Sequence, residues 1–268
     1  MIKVIGKSLC MILPLLLISG CWDQKQVEKR AYVYAIGLDK SEKENRFKIT
    51  YLIVNPEYGT LATGGSTDAK PFEIISFETP DLITSRNLAN VVVAKEVTYD
   101  LLKVFLVSEE LAKDENFIRW IYDATKDREI RRDNYFIVTK ENATDFLKEN
   151  DPKLETRIQT FFNLILERGI ETGVIPNSEL HRFFKITEAD ADLFLAIYGT
   201  TRKEDEEHQP KEEDDIWAGQ LNTKGITNKT QFLGSAVFKE GKMIAKLTGE
   251  ETRISVLLND TLDTSDIL

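Results

Sequence analysis

The sequence predicts an α+β fold: a mixed β-sheet flanked by helices in an N-terminal domain, followed by a small, incomplete α+β segment. Three observations predict it. Short runs of β-forming residues alternate with stretches of helical periodicity as far as Tyr198. The composition changes abruptly between Arg202 and Asp215, where nearly every residue is charged and eight are acidic. Beyond that run only one hairpin pattern and one helical pattern remain, a small core for a separate domain. The resulting partition is a signal peptide over 1–20, an N-terminal domain over 21–200, an acidic linker over 201–217 and the start of a C-terminal domain, truncated, over 218–268.

The first residues read as an export signal. Lys3 and Lys7 give a positive start, and Leu9 to Ile18 form an apolar run interrupted by Pro14. That run is shorter than the about 20 residues a membrane-spanning helix requires. Ile18-Ser19-Gly20-Cys21 then has the pattern of a lipobox, in which small residues admit a peptidase and the cysteine thiol accepts a diacylglycerol. Cys21 is thus the expected lipid-attachment site, carrying fatty chains such as palmitate. Two acyl chains hold a protein stably at a bilayer, at about 0.8 kcal/mol per buried CH₂. Trp22 follows directly, where an indole suits the membrane interface.

In the mature chain, Tyr32 to Leu38 and Phe47 to Val54 read as strands joined by the polar turn Lys40 to Arg46, a β-hairpin. Gly59 to Ala69 is a Gly/Ser/Thr loop, and Phe72 to Phe77 is a further strand. A helix follows, with Thr79 as N-cap, Pro80 in the first position and Leu88, Val91 and Val92 as its buried stripe. Lys103 to Val107 is a strand. Ser108 caps a second helix, with Glu109 and Glu110 in its first turn and Leu111, Ile118 and Ile121 on one face. Trp120 reads as packing in it. Asn134 to Val138 is a strand and Ala143 to Lys148 a short helix. The strongest helical signal runs from Leu154 to Arg168, through Ile158, Phe161, Phe162 and Ile165, with Gly169 as a left-handed cap. Glu179 to Phe184 is helical, and Leu193 to Tyr198 is the last strand of the unit. After the charged run, Phe232 to Phe238 and Met243 to Leu247 form a hairpin turning at Glu240-Gly241, and Glu250 to Leu258 starts a helix.

The charge balance narrows the partners. The chain carries −10, and loss of Lys3 and Lys7 with the signal takes the mature part to −12. That argues against nucleic acid and against nonspecific attraction to anionic headgroups. Of the two cysteines, Cys10 leaves with the signal and Cys21 takes lipid, so no disulfide, thiolate metal site or cysteine nucleophile is expected.

The search for chemistry returns no catalytic group and no metal or cofactor site. HExxH, G-x-S-x-G and P-loop patterns are absent. Of the histidines, His208 falls in the charged run and His181 on a helix, as solvated or structural residues. Gly64-Gly65 lacks the following helix a phosphate cradle needs. Asp190 and Asp192 flank a strand start, where capping or solvation competes with cation binding. Arg128, Arg131 and Arg132 form a basic group at a helix end. It serves either the helix dipole or contact with an acidic partner.

Several of these segments together resemble the Ger(x)C family of spore germination lipoproteins. Ser19-Gly20-Cys21-Trp22-Asp23 runs from lipobox into Cys-Trp-Asp, and Ala35-Ile36-Gly37-Leu38-Asp39 matches the family's early strand. Arg128-Glu129-Ile130-Arg131-Arg132 is similar to its Arg-Asp-x-x-Ile-Arg element, with Asp127 placed before Arg128 instead. Gly234 to Lys239 and Gly249 to Arg253 resemble the start of its C-terminal domain, although Ile254 stands where a glycine is common. Family members usually continue beyond the point where this chain stops, so the C-terminal domain reads as truncated.

The resemblance implies a C subunit of a nutrient germinant receptor, on the outer face of the spore inner membrane. It would be held there by lipid beside two integral-membrane subunits, A and B. It implies no enzyme. The competing reading is a solute-binding lipoprotein of a membrane transporter, which needs two similar lobes around a cleft.

Overall fold

The computed structural model describes residues 26–55, 72–189, 193–202, 215–221, 223, 225 and 228–259. Two units emerge. Met1–Arg30 is represented by a 3-10 turn at Val27–Lys29, and Ala31–Leu268 contains the sheet.

Nine strands form one sheet: β1 (Arg30–Lys40), β2 (Phe47–Val54), β3 (Phe72–Thr79), β4 (Glu96–Thr98), β5 (Val104–Ser108), β6 (Tyr135–Thr139), β7 (Phe194–Thr200), β8 (Gln231–Lys239) and β9 (Lys242–Leu247). Their order is β3-β2-β1-β5-β6-β7-β8-β9, with β4 paired to β1. The centre is parallel, from β1 through β5 and β6 to β7. Both flanks are antiparallel: β1-β2-β3 on one side and β7-β8-β9 on the other. This is the mixed, helix-flanked sheet that the sequence predicts. The sheet does not stop at β7, however, because the C-terminal hairpin pairs onto it and extends it.

The central strands are buried on both faces, as a parallel sheet covered by helices requires. β1 is buried from Ala31 to Asp39 and β5 throughout. One face carries Phe47, Phe105, Phe136 and Val138 under α1 (Leu82–Val92), α2 (Glu109–Ala112), α3 (Phe117–Ile121) and α6 (Leu180–Ala189). The other carries Leu52, Leu106, Ile137 and Ile197 under α4 (Ala143–Glu149) and α5 (Ile158–Glu171). The last described helix, α7 (Gly249–Leu258), has the capping box Thr248…Glu251 and bonds β8 through Thr252 and Ser235, 2.9 Å apart. Among the described residues no helix is long and apolar enough to cross a membrane.

On the first face a phenylalanine cluster joins elements far apart in sequence. Phe136 of β6 lies 4.9 Å from Phe183 of α6, ring centre to ring centre, and both lie 5.5 Å from Phe238 of β8. Such pairs add about 0.5–1.5 kcal/mol each beyond the area they bury. Trp120 packs against Phe47 at 5.5 Å, in the core position expected for it.

Local details correct several expectations. The cap of α1 is Asp81, not Thr79: its carboxylate accepts the Thr84 amide at 2.6 Å and the Thr84 hydroxyl at 2.7 Å. The helix therefore buries Leu82, Ser85 and Ala89. Leu88, Val91 and Val92, the expected buried stripe, face outward, with Val91 84% and Val92 73% exposed. The expected second helix is broken into α2 and α3, because Asp114 caps the intervening turn at the Asn116 amide. Leu154 lies outside α5 and is fully exposed, the chain before Ile158 being irregular. Gly169 is inside α5, where an added Cβ would meet Ile175 at 2.7 Å. The left-handed residue after the helix is Gly173, with φ 72°. The hairpin turn at Glu240-Gly241 is as expected, both residues having positive φ (52° and 77°).

The helix α4 has an unusual start. Its local cap residue, Asn142, makes no capping bond. Asp39, at the end of β1, supplies the bonds instead. Its buried carboxylate accepts the amides of Ala143 (2.6 Å) and Thr144 (3.0 Å) and the Thr144 hydroxyl (2.6 Å). The Thr144 hydroxyl continues to Thr50 on β2 (2.7 Å), and Thr50 to Ser76 on β3 (2.9 Å). Gly37 makes room for this approach, since a Cβ there would meet the Ala143 Cβ at 3.0 Å. Glu141 acts similarly at the end of β7, accepting the Thr201 amide and the Thr200 hydroxyl, each at 2.6 Å. Replacing Asp39 by Ala leaves two helix amides without acceptors. We expect a loss of about 2–3 kcal/mol in unfolding free energy, read by urea denaturation. Unchanged stability would show that the clamp is dispensable.

Candidate contact surface

The arginine segment lies between the 3-10 turn Tyr122–Lys126 and β6, and it divides into inward and outward residues. Ile130 is buried in the core. Glu129 points inward beside it, its Oε2 accepting the Tyr99 amide (3.0 Å), the Thr98 hydroxyl (3.0 Å) and an Nη2 hydrogen of Arg86 (3.1 Å). Asp127 receives the same guanidinium at 2.8 Å. Arg86 in turn lies 4.2 Å over the Tyr99 ring, a cation–π contact. The Tyr99 hydroxyl meets that of Tyr51 at 2.6 Å, and Tyr51 meets Ser85 at 2.5 Å. Burial pushes the Tyr51 phenol well above its usual range. Burial works against the charged Arg86, but Tyr99, Asp127 and Glu129 outweigh it and raise its pKa. This cluster fastens the arginine segment to α1, β2 and the β4–β5 connection.

Arg128, Arg131 and Arg132 are all exposed. Arg131 grips Asp133 with two bonds, Nε to Oδ1 at 2.9 Å and Nη2 to Oδ2 at 2.8 Å. That pairing, helped by Lys103 and opposed by partial burial, holds the Asp133 carboxyl below its usual range. The Arg132 carbonyl accepts the His181 amide at 2.8 Å. Its side chain borders a shallow cleft of ≈ 460 Å³ shared with Tyr122, His181, Phe184 and Glu188. His181 Nδ1 is 3.2 Å from Glu179, so this histidine sits on the rim in a surface pair. Cations thus line an outward ridge whose inner side is fixed by acids.

Cys21, Trp22, Asp190, Asp192, His208 and Gly64-Gly65 lie outside the described residues, as does the charged run over 203–214. Among the described residues no group of three or more His, Cys, Asp or Glu side chains is arranged to hold a metal ion. Sequence reading missed the Arg86–Asp127–Glu129 cluster. Its partners are 41 to 43 residues apart, and the only hint was an arginine on an otherwise uncharged helix. It also missed that Ile83, Leu88, Val91 and Val92 form exposed surface.

Two outcomes follow from this geometry. Arg86→Ala strands two acids and removes the ring contact, so unfolding free energy falls by about 2 kcal/mol in urea melts, whereas Arg128→Ala and Arg132→Ala stay within about 0.5 kcal/mol. The Asp133 pairing has a depressed folded-state pKa. Its contribution is therefore present at neutral pH and is lost as pH falls through and below the usual aspartate range. A carboxyl NMR titration of Asp133 should show a midpoint below that of a model aspartate, and Arg131→Ala should move it upward.

Comparison with known proteins places this surface in context. A family model described as "Spore germination protein N-terminal domain" matches residues 23–199. Three relatives come from Bacillus subtilis (strain 168). Spore germination protein KC is 24% identical over 192 residues, 71% of this chain and 42% of that protein. Spore germination protein B3 is 25% identical over 161 residues, 56% of this chain and 39% of that protein. Spore germination protein A3 is 28% identical over 147 residues, 54% of this chain and 38% of that protein. The chain spans less than half the length of these relatives. No solved structure matches it. The match extends from the residues after Cys21 through Asp39, the arginine ridge and Glu141 into β7, and on it the chain belongs to the Ger(x)C family of spore germination proteins, whose N-terminal domain it carries.

Proposed function

We propose that this chain is a membrane-anchored C subunit of a spore nutrient germinant receptor and acts through protein–protein contacts, without catalysis. The observation that carries the reading is the family match over residues 23–199. The geometry supports a contact role. Motif residues turned inward, Gly37, Asp39, Glu129 and Ile130, serve packing and capping, while Arg128, Arg131 and Arg132 are turned outward on a segment fixed from within. A fixed cationic ridge on an acidic protein gives an acidic partner one place to dock, and charge complementarity contributes specificity and speed of encounter.

In this reading fatty chains on Cys21 hold the protein on the outer face of the spore inner membrane. Confinement there raises its effective concentration beside two integral-membrane subunits, so that modest contacts suffice. The solute-binding alternative asks for two lobes around a cleft, whereas the nine strands form a single sheet.

The test uses the tagged full chain in its spore-forming host. Cys21→Ala should move the protein out of the membrane fraction and slow the response to nutrients. Arg128→Glu, Arg131→Glu and Arg132→Glu together should keep the protein folded and membrane-bound but reduce its co-purification with the integral-membrane subunits at least tenfold. Full co-purification of the triple variant would remove the ridge from the interface. A Cys21→Ala protein that stayed membrane-bound and active would remove the anchor.

A further inference from the structure

We infer that the outer face of α1 is a membrane-docking surface, with Leu88, Val91 and Val92 resting in the headgroup layer of a lipid bilayer. The inference builds on the anchored-lipoprotein reading. It adds a second point of contact, and so a fixed orientation, to the flexible hold of a lipid.

The face itself is unusual for this chain. Leu88, Val91 and Val92 stand at i, i+3 and i+4, so they share one side of the helix. Their exposures are 40%, 84% and 73%. Exposed apolar side chains scattered singly need no explanation, but a contiguous set marks an interaction site. The exposed residues of the helix itself carry no charge, and Lys95 and the exposed Glu96 follow only beyond its end. From Ile83 to Ala94 the exposed residues are Ile83, Asn87, Leu88, Asn90, Val91, Val92 and Ala94. The one charged residue in that stretch is Arg86, whose guanidinium is taken by Asp127 and Glu129. In a chain with 45 acidic residues, a helix face without carboxylates is surface that an anionic bilayer repels little.

The register of the sheet shows where this face lies. Thr79, just before α1, is aligned with Phe47, and Phe47 with Lys40, at the far end of β1. Ser85 meets Tyr51, whose strand partner is Ile36. Asn90 then accepts the Val97 amide of β4, the strand that pairs with β1. From β4 the chain reaches the Tyr34 carbonyl through the Lys103 amide and enters β5 beside Ala35. The helix thus runs back along β1 and ends beside its early residues. Ten residues separate Cys21 from Ala31, a span of at most about 35 Å. A lipid on Cys21 keeps this end of the sheet within that reach of the bilayer.

A second exposed aliphatic set, Ile254, Leu257 and Leu258 on α7, supplies the contrast. It belongs to a helix packed on β8, four strands away from β1 along the sheet, and Glu250 stands exposed on the same helix.

The test places an environment-sensitive bimane label at Val91→Cys, Leu154→Cys or Leu258→Cys, one at a time, in the acylated full chain. The protein is reconstituted in phosphatidylcholine–phosphatidylglycerol vesicles containing doxyl-labelled lipid. All three positions are exposed, so the labels leave the core intact. We expect at least twofold stronger quenching at 91 than at 154 or 258. Equal quenching at all three would mean nonspecific adhesion and would overturn the proposal. So would absent quenching at 91, or quenching at 91 that requires co-reconstituted integral-membrane subunits, which would assign the face to a protein. A parallel sample replaces the acyl anchor with an N-terminal hexahistidine on nickel-chelating lipid, and mass spectrometry reads Cys21 in the native chain. Quenching at 91 in the tethered sample with an unmodified Cys21 would overturn the anchor and keep the docking face. An acylated Cys21 with position 91 unquenched would do the reverse.

Discussion

The placement of Asp39 is the constraint on which much of this structure depends. A buried carboxylate is costly unless hydrogen-bonded, and here the start of α4 supplies the donors. The helix gains a cap that its own Asn142 does not give, and β1 gains a fixed relation to a segment more than a hundred residues later. The hydroxyls of Thr144, Thr50 and Ser76 carry that relation across β2 to the edge strand β3. Glu141 repeats the device at the other side of the parallel core, fastening the end of β7. Two buried acids thus set the ends of a sheet whose interior is mostly aliphatic and aromatic.

The same logic orders the arginine segment. Asp127 and Glu129 turn inward to Arg86, and Ile130 enters the core, so the cationic neighbours have only one direction left. The surface owes its definition to what lies behind it. A segment this short would wander if its alternate residues were all solvated, and a wandering cluster would lose much of its binding energy to ordering.

Much of the fold was legible in the sequence, and the reasons are physical. Strands buried on both faces are dense in Val, Ile, Phe and Tyr, so β1, β2, β5 and β6 announced themselves within a residue or two of their ends. The Glu240-Gly241 turn was legible because positive φ at consecutive positions selects such pairs. What stayed hidden depends on contacts distant in sequence. Nothing local to Asp39 says that it caps a helix at Ala143, and nothing local to Arg86 names Asp127. Periodicity misled where an apolar stripe faces outward: Leu88, Val91 and Val92 have core spacing and surface placement. Of the arginine segment, the three exposed cations were visible as a group, while the contacts of the acids beside them were not.

Phe238 has a consequence for how the gene tolerates damage. It sits on the C-terminal hairpin yet packs edge-on against both Phe136, 102 positions earlier, and Phe183, 55 positions earlier. A nonsense lesion ahead of residue 231 would remove that ring and the strand bearing it. The aromatic cluster on this face of β6 would open to water, and the edge of β7 would lose its neighbour. The last strands are thus part of the core that the earlier two hundred residues build, not an appendage to it.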